Sequence, residues 1–128
     1  MTVVVVDASA MIAALTEPGE RGAAASATLS TSNLVAPHLL DIEVAQALRR
    51  HDRTGRRAAT RALEEFGTMT IRRFDHQPLL PRIWELRYNL TAYDAIYVAL
   101  AEAVGTPLLT LDRRIANAPG HHAEVIVL

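Results

Sequence analysis

Four acidic residues of this chain lie at positions where their carboxylates could meet at one site. Asp7 and Asp112 each follow a short apolar run, Asp94 opens the apolar segment "YDAIYVALAEAV", and Glu43 lies within a helical pattern. Two such charges about 4 Å apart repel by about 4 kcal/mol at an effective dielectric of 20. Protonation or a shared divalent cation would relieve that repulsion. Oxygen ligands in a chain without cysteine favour Mg²⁺ or Mn²⁺.

Three of the four acids also have an ordinary structural explanation. Asp7 and Asp112 each precede a predicted helix, where an aspartate N-cap contributes about 1 kcal/mol. Asp94 comes three residues after Thr91 in a pattern that resembles a capping box, and an acid in the first turn suits the helix dipole. Capping explains each of these residues alone, so the functional hypothesis depends on the set.

Glu43 is not explained by capping, because it lies in the middle of a predicted helix. Helical periodicity places its side chain beside Leu39, Leu40 and Ala47, on an apolar stripe. An ionised carboxylate in such a place needs a partner or a metal. The alternative is a side chain at the edge of the stripe, paired with Arg50. The two interpretations carry equal weight at this point.

The elements that would position these acids follow an α/β pattern. Apolar and β-branched runs predict strands over "TVVVVD", "NLVAP", "TMTIRRF", 107–111 and "AEVIVL". Helices are predicted over "AMIAALTE", 20–31, "HLLDIEVAQALRRHDRTG", "RRAATRALEEFG", "PLLPRIWELRYN", 92–104 and "RRIANA", with stops at Pro18-Gly19 and Gly55. This alternation is typical of one domain, here residues 1–128, built on a parallel sheet with right-handed crossovers.

A parallel sheet would bring the acids together, because the carboxyl ends of its strands share one edge. Asp7 and Asp112 each follow a strand, and the helix that begins near Asp94 runs antiparallel to the next strand. Two hydroxyls accompany them. Thr110 shares a strand face with Asp112, and for Ser9 we expect helix capping as the main role.

Arginines are the only strongly basic side chains near these acids in the sequence. Arg113 and Arg114 could bind a substrate phosphate or be surface charges on a short helix. Between residues 49 and 61 there are six arginines and one acid. We interpret this segment as solvated helix ends, with a patch for RNA or an acidic partner as the alternative.

Composition excludes several classes of protein. All 13 basic residues are arginine, which removes Schiff-base and P-loop chemistry and the lysine that receiver domains need. The first acid is followed by "AS" rather than by the second aspartate expected of a haloacid-dehalogenase-type phosphatase. The five histidines show no ligand spacing, and we expect them on the surface or in loops. Trp84, Tyr93 and Tyr97 are expected in the core or at a dimer interface rather than against bases.

The chain also lacks signals for membranes or export. No apolar run approaches the roughly 20 residues of a membrane helix, and the start "MTVVVVDASAM" lacks the basic region of a signal peptide. The absence of cysteine fits a reducing compartment. The sequence therefore predicts a cytoplasmic protein with no membrane contact.

The segments "VVVDASAMIAAL", "APHLLDIEVAQALRR", "YDAIYVALAEAVGTPLLTLDRRIA" and the final strand together resemble the PIN-domain ribonucleases, above all the VapC toxins of bacterial type II toxin–antitoxin modules. The resemblance implies a parallel sheet of order 3-2-1-4-5 flanked by helices. It maps the family's acids and hydroxyls onto Asp7, Glu43, Asp94, Asp112, Thr110 and Ser9. It also implies Mg²⁺- or Mn²⁺-dependent cleavage of RNA, a homodimer, and inhibition by a cognate VapB-type antitoxin.

Our mechanistic hypothesis has Asp7 and Asp112 holding the principal metal. Asp94 would complete that site or hold a second, weaker one with Glu43. Metal lowers the pKa of bound water and stabilises charge during in-line attack, so products would carry 5′-phosphate and 3′-hydroxyl ends. Two alternatives stay open: a PIN-fold nuclease that acts in RNA processing or on DNA, and a non-catalytic interaction module stabilised by metal.

Overall fold

The computed structural model describes residues 1–52 and 57–128. Within those residues, the strands are β1 (Thr2–Val6), β2 (Ser32–Pro37), β3 (Ile71–Phe74), β4 (Leu108–Thr110) and β5 (Val125–Val127). They form one sheet of order β3-β2-β1-β4-β5, and every neighbouring pair is parallel. The predicted parallel sheet and its order 3-2-1-4-5 are confirmed.

The helices lie on the connections between these strands. They are α1 (Ala8–Thr16), α2 (Gly19–Ser30), α3 (Leu39–Asp52), α4 (Ala58–Thr68), a short 3-10 helix (Gln77–Leu79), α5 (Leu80–Glu85), α6 (Ala92–Val104) and α7 (Arg113–Asn117). The predicted stop at Gly55 lies outside the described residues. The helix expected to run to Asn89 ends instead at Glu85. Tight turns follow it, in which Arg87 donates to the Trp84 carbonyl and Asn89 to the Leu86 carbonyl.

The core explains why residues 4–6 of β1 and residues 95–101 of α6 are apolar. β1 is the central strand, paired with β2 through Val4 and Leu34 and with β4 through Val5 and Leu108. A central parallel strand is covered by helices on both faces, so consecutive residues are buried rather than alternate ones. Residues 95–101 of α6 are all buried. The connection from β3 to β4 therefore runs through α6 inside the fold, with the N-terminus of α6 at the carboxyl edge of the sheet.

None of the helices that the structure describes is long and apolar enough to cross a lipid bilayer.

The elbow between α1 and α2 depends on a glycine. A Cβ atom at Gly22 would lie 1.9 Å from the Glu17 carbonyl oxygen, which is backbone and cannot rotate away. We expect Gly22→Ala to lower the free energy of unfolding by about 1–3 kcal/mol, as measured by urea denaturation. Gly67→Ala is the matched control, because a Cβ there meets no atom within 4 Å. The control should be neutral or stabilising, and equal effects of the two substitutions would contradict the close approach.

Candidate active site

Asp7 lies at the carboxyl end of β1 and is the most buried acid of the set, with 5% of its surface exposed. Its Oδ1 accepts hydrogen bonds from the Ser9 hydroxyl (2.6 Å) and the Ala10 amide (3.0 Å), and its Oδ2 accepts one from the Thr110 hydroxyl (2.5 Å). The Ala10 bond makes Asp7 the N-cap of α1. Burial raises the pKa of Asp7, these three bonds oppose the rise, and the charge of Asp94 adds to it.

Two backbone amides set the direction of the hydroxyl bonds. The Leu111 amide donates to Ser9 Oγ (3.0 Å), and the Asp112 amide donates to Thr110 Oγ1 (3.0 Å). An amide can only donate, so each hydroxyl accepts there and keeps its own proton for Asp7. The capping role expected of Ser9 is therefore wrong. Ser9 instead joins Asp7 to the end of β4, because β1 and β4 are neighbours in the sheet.

Glu43 lies on α3 and reaches the N-terminal half of α6. Its Oε1 accepts a hydrogen bond from the Tyr97 hydroxyl at 2.5 Å. The partner considered from the sequence, Arg50, forms no ion pair with Glu43 in the part of the chain that the structure describes. Burial raises the pKa of Glu43, the bond from Tyr97 lowers it, and the charges of Asp94 and Asp7 raise it further.

Asp94 stands in the first turn of α6, where the Thr91 hydroxyl accepts a hydrogen bond from the Asp94 amide (3.2 Å). The predicted cap at Thr91 is therefore present. The Asp94 side chain is half-buried. Burial raises its pKa, a hydrogen bond with Thr91 lowers it, the charge of Asp112 raises it and Arg114 lowers it. Asp94 also raises the pKa of Asp7 and Glu43, so these three acids lie within electrostatic reach of one another.

Asp112 follows β4 and caps α7, as the sequence predicts, but its carboxylate has a partner of its own. Arg114 contacts it through its amide and its guanidinium, the latter at 2.8 Å from Oδ2. The hydrogen bond from Arg114 holds the pKa of Asp112 below its usual range. Arg114 is thus engaged with an acid of the cluster, whereas Arg113 is exposed.

The donor set of this cluster fits a hard divalent cation. The four acids and two hydroxyls offer only oxygen, which Mg²⁺ and Mn²⁺ prefer. Among the described residues, no arginine or histidine forms an ion pair with Asp7, Glu43 or Asp94. In the same part of the chain, no three such side chains are close enough, as they stand, to coordinate one ion. Asp7, Glu43 and Asp94 are therefore neighbouring acids whose charges no ion pair of the described residues balances.

Residues 4–120 match the PIN domain family. The chain belongs to this family. Ribonuclease VapC1 of Mycobacterium tuberculosis is 44% identical to this PIN domain over an alignment of 125 residues, which covers 94% of this chain and 94% of that protein. VapC ribonuclease Mb0985 of Mycobacterium bovis is 43% identical over an alignment of 128 residues, which covers 98% of this chain and 98% of that protein.

Two solved structures have the same architecture. The structure of Mycobacterium tuberculosis VapC20, described as a sarcin-ricin loop cleaving toxin, has a TM-score of 0.72 and 20% identity, and covers 93% of this PIN domain and 96% of that chain. The structure of VapBC2 from Rickettsia felis, bound to a DNA fragment from its promoter, has a TM-score of 0.70 and 12% identity, and covers 97% and 98%. At these identities the likeness concerns the fold.

Aromatic residues of this PIN domain occupy different environments from one another. Tyr97 is in the core, as one of the sequence alternatives has it, but its contact with Glu43 was not foreseen. The signal for it is the spacing, since residues three apart on a helix share a face, and Asp94 is three residues before Tyr97. Trp84 (67% exposed) and Tyr93 (64% exposed) are on the surface, so core packing is wrong for both. The dimer alternative for them stays a prediction.

The histidines whose side chains the structure describes form no ion pair with Asp7, Glu43, Asp94 or Asp112. His38, His76 and His122 are exposed, as predicted, and the half-buried His121 contacts the Ile115 carbonyl at 2.8 Å. His122 lies 3.4 Å from Glu102, an acid that Arg82 also binds. The arginine-rich segment is only partly described. Its exposed members in the described ranges are Arg49, Arg50, Arg57 and Arg61.

Proposed function

We propose that this PIN domain is the toxin of a type II toxin–antitoxin module and acts as an endoribonuclease. The observation that carries the proposal is the 44% identity to a ribonuclease of the VapC group over 94% of the chain. The convergence of Asp7, Glu43 and Asp94 at one edge of the sheet supports it, because that edge is where parallel α/β folds place their sites.

The residues that would hold Mg²⁺ or Mn²⁺ are Asp7, Asp94, Glu43 and Asp112. A bound divalent ion supplies a lowered pKa for its water and compensates charge on the phosphodiester. Asp7 suits the central position because Ser9, Thr110 and the Ala10 amide fix both of its oxygens while leaving one lone pair of Oδ2 free. The Asp112 carboxylate can bind the ion only when the Arg114 guanidinium releases it. Arg114 could then turn to a substrate phosphate.

Substrate access is through a groove beside Glu43. The groove has a volume of about 470 Å³ and is lined on α3 by Leu39, Ile42 and Arg50, among others, and on α6 by Tyr93. Most of its lining is apolar, and Ile42 is exposed. Arg50 lines the groove and provides positive charge that RNA phosphates would need, and Arg113 on α7 adds charge outside the groove.

The proposal includes two features that the resemblance implies, a VapB-type antitoxin partner and a homodimer. It also includes two features that composition and the α/β pattern predict, a cytoplasmic location and one domain over residues 1–128. A segment of the antitoxin laid along the groove beside Glu43 would cover its apolar surface and block the acids at the same time.

The deciding experiment is cleavage of RNA by the purified protein with Mg²⁺, with Mn²⁺ and with EDTA, followed by analysis of the product ends. We expect cleavage with either ion, none with EDTA, and 5′-phosphate ends. Cleavage that survives chelation would overturn the metal-dependent mechanism. Cleavage of DNA but not RNA would favour the DNA-nuclease alternative, and a metal-dependent rise in melting temperature without any cleavage would favour the interaction module.

A further inference from the structure

The Tyr97 hydroxyl is a polar group that is buried in an apolar environment. Tyr97 is 2% exposed and lies among the buried residues 95–101 of α6. A phenylalanine would fill the same volume without the need to satisfy an O–H group. The hydroxyl instead crosses from α6 to α3 and donates to Glu43. Hydrogen bonds to a charged acceptor are among the stronger ones in proteins.

Glu43 depends on this bond more than Asp7 and Asp112 depend on any single bond of theirs. Asp7 has three donors, and Asp112 has Arg114. For Glu43, Tyr97 is the side-chain donor found in the described part of the chain. The negative charges of Asp94 and Asp7 also repel the Glu43 carboxylate. That repulsion drives a flexible glutamate away from the cluster and into the open groove, so a donor on the inner side is needed to keep it facing inward.

The ring of Tyr97 is suited to hold a side chain in place. Tyrosine has two side-chain torsions, and burial in the core locks both, whereas glutamate has three and Glu43 is only half-buried. Asp94 is three residues earlier on the same helix face. One face of α6 thus supplies both a carboxylate and the donor that orients a second carboxylate from α3.

We infer that Tyr97 is a positioning residue, which holds the Glu43 carboxylate toward Asp94 and Asp7 so that the acids can share a divalent ion. The inference rests on the proposed function, since it assumes that the acids bind metal. Partners that orient metal ligands typically contribute about 10- to 100-fold to metal affinity or activity. Loss of the single hydroxyl should therefore weaken metal binding by about tenfold.

The primary test compares wild type with Tyr97→Phe by titration with Mn²⁺, read by electron paramagnetic resonance. We expect a Kd about tenfold weaker in Tyr97→Phe, a lower kcat for RNA cleavage and an unchanged KM. Tyr88→Phe is the control, because it removes a phenol hydroxyl from an exposed residue whose contact is Arg87. A Kd in Tyr97→Phe within twofold of wild type would overturn the inference.

A double-mutant cycle separates positioning from a general effect on the core. If Tyr97 acts through Glu43, Tyr97→Phe should weaken Mn²⁺ binding far less in a Glu43→Gln background than in wild type. An equal loss in both backgrounds would overturn the inference. Wild type that binds Mn²⁺ but cleaves no RNA would refute the proposed function while the Kd ratio still decides the role of Tyr97. Wild type that binds no Mn²⁺ would refute both.

A measurement on the unmutated chain covers the case in which Tyr97→Phe does not fold. The protein has 3 tyrosines, so incorporation of 3-fluorotyrosine gives three ¹⁹F resonances, which Tyr88→Phe and Tyr93→Phe help to assign. Mg²⁺ should shift the Tyr97 resonance, because metal binding changes the environment of Glu43, which accepts the hydrogen bond from the Tyr97 hydroxyl. A Tyr97 resonance that does not move at saturating Mg²⁺ would overturn the inference.

Discussion

We expect Asp7→Asn to lower the rate of RNA cleavage by roughly a thousandfold and to leave the fold intact. Charge stabilisation by a catalytic ion contributes several kcal/mol, and each 1.4 kcal/mol is about tenfold in rate. Asp7 is the most buried acid and the one with both oxygens fixed, so its charge is the one that the other acids cannot replace. Single-turnover cleavage of RNA at saturating enzyme measures the effect.

The substitution should preserve the structure because asparagine can reproduce the hydrogen bonds of Asp7. Its amide oxygen can accept from the Ala10 amide and Ser9, and its NH₂ group can donate to Thr110 after the hydroxyl rotates. Circular dichroism should therefore match wild type. Asp75→Asn is the control, since Asp75 follows β3 at the same sheet edge but is exposed and two strands away from β1. More than a tenth of wild-type activity in Asp7→Asn would contradict the role of Asp7.

Features that depend on local sequence were predictable. The strand that ends at Asp7, the cap at Thr91 and the cap at Asp112 each follow from periodicity and from a residue type that suits the position. The sheet edge shared by Asp7 and Asp112 follows as well, once the alternation of strands and helices indicates a parallel sheet.

Contacts between distant segments were not predictable in the same way. Glu43 and Tyr97 are 54 residues apart, and their contact depends on how α3 packs against α6. Ser9 looks like a capping residue by its position, but the adjacency of β1 and β4 brings it to the Leu111 amide, 102 residues away. Periodicity predicts which face of a helix or strand a residue occupies. It does not predict which side chain that residue contacts across an interface between two elements.

The pairing of Asp112 with Arg114 was also not predicted, although the two residues are close in the sequence. An arginine two residues after an N-cap aspartate can reach the carboxylate, and the two bonds from its side chain lie at 2.8 and 3.1 Å. The sequence analysis placed Asp112 at the metal and left Arg114 as either a phosphate ligand or a surface charge, and it did not consider the pair. Competition between the arginine and a cation for this carboxylate is the consequence, and it makes Asp7 rather than Asp112 the better anchor.

We also expect the metal-free protein to lose stability as the pH rises through the mildly acidic range. Burial is the first cause that raises the pKa of Asp7, Glu43 and Asp94 in the folded state, and mutual repulsion adds to it. A folded state with raised acid pKa values binds more protons than the unfolded state, so stability falls with rising pH. The loss of stability begins near the unfolded-state pKa of about 4, since well below it the acids are protonated in both the folded and the unfolded protein. The loss is complete above the raised pKa values of the folded protein. Glu102 and Asp112 have lowered pKa values, so their stabilisation is lost only as the pH falls below about 4.

Melting temperatures at pH 5.5 and 7.5 in EDTA and in Mg²⁺ measure this effect. Saturation at about 100 times Kd stabilises by about 2.7 kcal/mol, which corresponds to roughly 10 °C for a chain of this size. The rise should be larger at pH 7.5, because bound metal displaces protons. Asp7→Asn should show a weaker fall with pH and little response to Mg²⁺. Identical pH dependence in wild type and Asp7→Asn would contradict a single metal site formed by mutually repelling acids. An equal rise in melting temperature with Mg²⁺ at both pH values would contradict it as well.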